Sequence, residues 1–133
     1  MVRSQHILFA DDEGGFRFSA SVALRAAGYR VTTARDGQEA LELAVEARMS
    51  GNPVQILVTD QQMPGMTGTE LVRALRDRGF RFPVVVITGW AGLSAGISLH
   101  GEGIREVVEK PIGPEDLVAC VERILGVSRE ETA

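Results

Sequence analysis

Three nearly unbroken apolar runs constrain this chain more than any other feature: Ile7-Leu8-Phe9-Ala10, Ile56-Leu57-Val58 and Val84-Val85-Val86-Ile87. Each is too short for a helix, and each gives way to polar residues: Asp11, Thr59-Asp60 and Thr88. A strand apolar on successive residues needs cover on both faces, which places it in the middle of a parallel sheet. Longer segments of helical period separate the runs, the alternation of an α/β protein. Strands are therefore expected at Ile7–Ala10, Arg30–Ala34, Gln55–Thr59, Pro83–Thr88 and Arg105–Val108. The second alternates apolar and polar positions and the fifth mixes Val107-Val108 with Arg105, Glu106 and Glu109, so both read as edges. Right-handed crossovers then allow the order 2-1-3-4-5, with a switch point between the first and third strands.

The helices announce their starts. Asp36-Gly37-Gln38-Glu39 and Thr67-Gly68-Thr69-Glu70 both fit a capping box, opening one helix over Ala40–Ala47 and another that ends near Gly79. Leu41, Ala44 and Val45 share a face of the former, and Leu71, Ala74 and Leu75 a face of the latter. Pro114 suits the first turn of the last helix, which buries Leu117, Val121 and Leu125 and stops at Gly126. The segment Ala91–Gly103 carries Gly92, Gly96, Gly101 and Gly103, each costing about 1 kcal/mol against Ala in a helix, so a short or mobile fourth helix is expected there.

With 133 residues the chain is about one domain, its core spanning about residues 5–126 with a tail over 127–133. An apolar share of 44% and a charged share of 24% suit a globular protein, and a net charge of −4 gives no basic field for nucleic acid or an anionic membrane. No apolar run approaches the roughly 18 residues of a membrane span, and the residues before Ile7 are too few and too polar for a signal peptide. Cys120, the single cysteine, excludes an internal disulfide, fits a reducing cytoplasm, and sits in a helical pattern that reads as a packed thiol.

In a parallel sheet, ligands gather beyond the carboxyl ends of the strands. There the first strand runs into Asp11-Asp12-Glu13, the third into Asp60, the fourth into Thr88 and the fifth into Lys110-Pro111. Any one of these is an ordinary turn or cap residue; all at one edge imply a site. Clustered carboxylates repel unless a cation sits among them, and a hard divalent ion with oxygen ligands, Mg²⁺, is the natural partner. Asp60 can then act as a nucleophile toward a phosphoryl group, with Lys110 as a point charge and the Thr88 hydroxyl as a donor to phosphoryl oxygens. The expected geometry is a single shallow acidic pocket formed by positions 11, 12, 60, 88 and 110.

From Gln5 to Leu125 the chain resembles a response-regulator receiver domain. The resemblance rests on Ile7-Leu8-Phe9-Ala10-Asp11-Asp12-Glu13, on Leu57-Val58-Thr59-Asp60-Gln61-Gln62-Met63-Pro64-Gly65-Met66-Thr67-Gly68, on Val86-Ile87-Thr88-Gly89 and on Glu109-Lys110-Pro111. It implies a flavodoxin-like, doubly wound five-stranded parallel sheet flanked by five helices. It implies Asp60 as phosphoacceptor, with a histidine kinase or histidine phosphotransfer protein as donor. Asp12 would ligate Mg²⁺ directly and Asp11 mainly through water, Asp60 and the backbone carbonyl of Gln62 supplying further oxygens. Thr88 and Lys110 would contact the phosphoryl group, and the Lys110–Pro111 bond would be cis. Such a domain is cytoplasmic, catalyses only its own phosphorylation and dephosphorylation, and stands alone or belongs to a larger regulator or hybrid kinase. A homodimer, and an output partner that these residues do not identify, are compatible with it.

The sequence departs from the family pattern in several places. Val107 occupies the usual position of an aromatic switch residue, three before the lysine, and with one χ angle and no ring it couples more weakly to the site. Gly14 and Gly15 loosen the start of the first helix. Gln62 and Trp90 hold positions that, in the family, tune access of water to the acyl phosphate; Trp90 either shields it or packs elsewhere. On the first helix, Phe16, Ala20, Ala23, Leu24 and Ala27 form the stripe facing the sheet, while Phe18 and Val22, near Arg17 and Arg25, suit either a partner contact or a wide core face. His6 and His100 are expected to be solvated or capping residues. Two other readings compete. A phosphatase of the haloacid dehalogenase type needs an acid-base Asp two residues after the nucleophile, where this chain has Gln62. A degenerate receiver that only binds a partner, independent of phosphate, is kept open by Val107.

Overall fold

The computed structural model describes residues 5–89 and 103–126. Five strands, β1 (His6–Ala10), β2 (Arg30–Ala34), β3 (Ile56–Asp60), β4 (Val84–Thr88) and β5 (Ile104–Glu109), form one parallel sheet in the order β2-β1-β3-β4-β5. The described residues include four helices: α1 (Gly14–Ala26), α2 (Gly37–Met49), α3 (Gly68–Asp77) and α4 (Pro114–Leu125). The fold class and strand order are those expected. The remaining expected helix, over 91–103, falls outside the described residues save for Gly103.

The three central strands are buried at every position, as unbroken apolar runs require. Alternate residues feed two cores. Leu8, Leu57, Val84 and Val86 pack with Leu41 and Ala44 of α2 and Leu71 and Leu75 of α3 on one face. Ile7, Phe9, Val58, Val85 and Ile87 pack with Leu24 of α1 and Leu117 and Val121 of α4 on the other. Val45 and Leu125, expected inside, are only half-buried at the rims of these layers.

Several boundaries differ from expectation. β3 is displaced by one residue: Gln55 is exposed, and Asp60 still pairs in register with Ile87 of β4, so the acidic residue ends the strand rather than following it. Pro83, with no N–H for the ladder, stays outside β4, although its carbonyl accepts from Leu57. His6 is neither solvated nor a cap. It opens β1, is buried, and its Nδ1 and Nε2 lie 2.9 and 2.7 Å from the Asn52 carbonyl and Thr32 Oγ1, tying the sheet's N-terminal edge together. His100 lies outside the described residues.

The caps also divide. At α3 the box is complete: Thr67 Oγ1 accepts from Glu70 N and Glu70 accepts from Thr67 N. At α2 only half forms. Asp36 accepts from Glu39 N, but the Glu39 carboxylate reaches one residue further back and accepts from Arg35 N at 2.7 Å, where the Arg35 guanidinium also meets it. α4 begins with Pro114 at its first turn and ends at Gly126, whose φ of 73° is left-handed and open to glycine without strain.

Candidate functional site

The C-terminal edge of the sheet gathers the expected side chains at the point where β1 and β3, adjacent in space, lead their helices to opposite faces. Asp11 follows β1 and Asp60 ends β3, and one carboxylate oxygen each from Asp11, Asp12 and Asp60 lie within 4.8 Å of one another. Lys110 follows β5 after a backbone bond from its N–H to the Thr88 carbonyl (2.7 Å), and the Lys110–Pro111 peptide is cis, as expected. Its ammonium reaches back between two acids, 3.2 Å from Asp11 Oδ2 and 3.4 Å from Asp60 Oδ2.

The pocket is deeper than the shallow one expected. Asp11 is fully buried and Asp60 is 5% exposed, while Asp12 and the Gln62 side chain stay open to solvent. Thr88 ends β4 beside Asp60, fully buried, one residue beyond the Ile87 that pairs with Asp60. The Gln62 N–H points at Asp60 Oδ1 from 3.4 Å, so the chain just after Asp60 stays close to its carboxylate. Trp90 lies outside the described residues.

Burial, and then the charge of Asp11, push the Asp60 carboxyl above the usual carboxylate range, with Lys110 pulling part of the way back. Burial works against the charge on Lys110, but the two carboxylates overcome it and hold the ammonium above its ordinary value. One oxygen is incompletely satisfied: Asp11 Oδ2 is buried, with no regular hydrogen bond and the Lys110 ammonium 3.2 Å away as its ion-pair partner. Three carboxylates this close, one of them buried and only partly satisfied by an ammonium, fit a small hard cation.

Local structure explains why the acids point together and what the sequence did not announce. Gly68, the first residue of α3, brings that helix against the end of β3: a Cβ there would lie 2.6 Å from the Asp60 carbonyl oxygen. The buried Gln61 side chain spans the joint, its Oε1 accepting from Thr69 N and its Nε2 donating to Thr69 Oγ1. Glu13, the third acid after β1, is turned away to serve as the N-cap of α1, accepting from Gly15 and Phe16 N–H groups. Arg17 Nη1 donates to the Asp11 carbonyl at 2.8 Å, and the Phe16 ring lies 5.0 Å from Lys110 Nζ. Glutamate is not among the usual N-cap residues, so no signal in the sequence announced this cap.

Away from the site, Phe18 is 71% exposed and Val22 half-exposed on α1, so they are not a widened core face. Val107 is half-buried in β5 against the core under α2 and α3. Cys120 is buried in α4, where burial pushes its thiol up to about 11, in keeping with a packed residue. Among the described residues, no helix is long and apolar enough to cross a membrane.

Comparison with known proteins points the same way. The family model described as "Response regulator receiver domain" matches residues 7–122. The DNA-binding transcriptional regulator NtrC of Escherichia coli is 33% identical over 121 residues, covering 91% of this chain and 25% of that protein. The response regulator MprA of Mycobacterium leprae is 32% identical over 127 residues, 96% of this chain and 54% of its own length. The chain therefore spans between a quarter and about half of these curated relatives. Among solved structures, the chemotaxis protein CheY4 of Vibrio cholerae superposes with a TM-score of 0.80 at 32% identity, covering 92% of this chain and 99% of that one.

Proposed function

This chain belongs to the response regulator receiver family, and on that premise we propose that it takes a phosphoryl group from a phosphohistidine onto Asp60 with the aid of Mg²⁺. The observation that carries the proposal is the Lys110 ammonium suspended between Asp11 and Asp60 beside three converging carboxylates. Asp11, Asp12, Asp60 and the Gln62 backbone carbonyl would hold Mg²⁺, which when bound neutralises charge on the acids and on the incoming phosphoryl oxygens. Asp60 supplies the nucleophilic oxygen. Its bond to phosphorus forms as the P–N bond of the donor breaks, the imidazole nitrogen leaving with the electron pair. Lys110 is placed to meet the charge on the phosphoryl oxygens, and the Thr88 hydroxyl to donate to one of them.

The domain acts as a signalling element rather than as a turnover enzyme, cytoplasmic, with a histidine kinase or histidine phosphotransfer protein as donor. Family membership sets it apart from phosphatases of the haloacid dehalogenase type, and the exposed Gln62 offers no acid-base group two residues after Asp60. Exposed Phe18 and Val22, with Arg25 beside them, suit the docking of the donor's helix on α1. Val107 favours a second reading in part, a receiver whose partner binding responds weakly to phosphate.

The test is to incubate the chain with a small acyl phosphate and Mg²⁺, and to follow the mass gain of one phosphoryl group, with borohydride reduction locating it. Labelling at position 60 that disappears in Asp60→Asn and on chelation of Mg²⁺ is expected. No labelling of the folded protein would reject the acceptor role and leave the phosphate-independent module.

A further inference from the structure

We infer that Phe16 is a positioning residue for Lys110, its ring face holding the ammonium over the acceptor carboxylate as a partner that carries no charge. The inference rests on the reading of Asp60 as phosphoacceptor and adds a residue that neither the sequence motifs nor the family match assigns.

Lys110 carries its charge on a flexible four-carbon stem, so its position is only as good as its contacts. Two of these are Asp11 and Asp60, at 3.2 and 3.4 Å. Both are acids whose charge is drawn on by the same reaction. When Asp60 becomes an acyl phosphate, its attacking oxygen turns into the bridging oxygen of a mixed anhydride and no longer holds a cation as a carboxylate does. The Phe16 ring is different. Its centroid lies 5.0 Å from Lys110 Nζ, within the about 6 Å over which a ring quadrupole attracts an ammonium. That attraction does not alter as phosphorus changes hands, and the ring offers no acceptor lone pair to compete with a phosphoryl oxygen.

The ring is itself held from two sides. Its backbone N–H is fixed in the first turn of α1 by the Glu13 cap at 2.8 Å. Its ring packs on Phe9 of β1, centroids 5.8 Å apart and planes tilted by 50°. Phe9 is fully buried in the central sheet, so the aromatic pair links the core to the ammonium. Arg17, the next residue, binds the Asp11 carbonyl and keeps this turn in register with the acidic end of β1.

Ordinary packing of Phe16 against the core predicts that any apolar side chain of similar size will serve; a cation–π role predicts that the electron density of the ring matters. Mono-, di- and trifluorinated phenylalanine at position 16 keep the shape and drain the ring face step by step. The rate of Asp60 labelling by a small acyl phosphate at saturating Mg²⁺ is expected to fall in a graded way along that series. Phe16→Leu should be about threefold or more slower than wild type, and Phe16→Tyr close to wild type. Urea midpoints of the fluorinated proteins should match wild type. Independently of activity, the Lys110 ε-methylene protons of the Mg²⁺-free protein should show an upfield ring-current shift that Phe16→Leu abolishes. Fluorinated proteins that label at the wild-type rate, or ε-protons at the position of a solvated lysine, overturn the inference while leaving Asp60 as acceptor. A wild-type chain that takes no label overturns both.

Discussion

Replacing Gly68 by alanine tests how tightly β3 and α3 are joined. The added Cβ would meet the Asp60 carbonyl oxygen at 2.6 Å, Gln61 Oε1 at 3.0 Å and Gln61 Cα at 3.2 Å. An ordinary carbon–oxygen contact is about 3.3 Å or longer, so α3 must retreat by more than half an ångström from backbone that cannot yield. That movement strains the bonds from Gly68 N to the Gln61 carbonyl and from Thr69 N to Gln61 Oε1, both 3.0 Å. Overpacking of this kind costs about 1–3 kcal/mol. The helical preference of alanine returns at most about 1 kcal/mol. A net loss of about 1–2 kcal/mol is expected in urea unfolding followed by circular dichroism, together with slower labelling of Asp60, whose own carbonyl is the obstacle. Two other helix-opening glycines calibrate the result. At Gly37 the Cβ would meet Met66 Cβ and Sδ at 2.9 Å and Cγ at 3.0 Å. The thioether can rotate away but Cβ moves only with its backbone, so Gly37→Ala should also lose stability, though less than Gly68→Ala, where the obstacle at 2.6 Å is a strand carbonyl. At Gly14 its nearest neighbour is Arg17 Nη2 at 3.6 Å, so Gly14→Ala should be neutral or stabilising by up to about 1 kcal/mol. Gly68→Ala as stable as Gly14→Ala would refute the steric account.

Three further outcomes are expected. Because burial and the charge of Asp11 raise the Asp60 carboxyl, the folded state favours its protonated form; Asp60 thus penalises folding above its folded-state value, and that penalty fades as pH falls toward the unfolded value of about 3.9. In chelator, Asp60→Asn should be more stable than wild type at neutral pH, with an advantage that shrinks on acidification; an advantage independent of pH would refute the electrostatic cause. Thr67→Ala, which removes the side-chain half of the α3 cap, should cost about 1 kcal/mol in the same unfolding assay, and a loss below a few tenths would show the box to be idle. Cys120, buried with its thiol raised to about 11, should resist iodoacetamide at pH 8 in the folded protein and react readily in urea; fast alkylation of the native state would contradict its placement in α4.

What could be read from the sequence was what depends on burial at the scale of one element. Ile7–Ala10 and Val84–Ile87 declare central strands because both faces must be covered, and the meeting of Asp11, Asp60 and Lys110 at one edge follows from where the strands of such a sheet end. What could not be read depends on residues brought from far along the chain. His6 is polar and next to a strand, which reads as surface; it is buried because the Asn52 carbonyl and Thr32, from 46 and 26 residues away, supply its two ring nitrogens. Glu39 matches the capping-box pattern, but an arginine just outside the box offers both its backbone N–H and its charge, and the carboxylate goes there instead. The Phe16 ring beside Lys110 joins positions 94 apart through side-chain geometry that no periodicity encodes.

Asp11 and Lys110, which meet at 3.2 Å, directly follow the first and the last strand in chain order, with Asp60 midway between them in sequence. No contiguous fragment shorter than this span holds the full set of groups. A polypeptide still emerging from the ribosome, with β5 not yet made, would carry Asp11 and Asp60 without Lys110. On the proposed reading, the cation that is to meet the phosphoryl oxygens arrives only with β5, so a nascent chain that ends before that strand would hold Asp60 without its full set of partners.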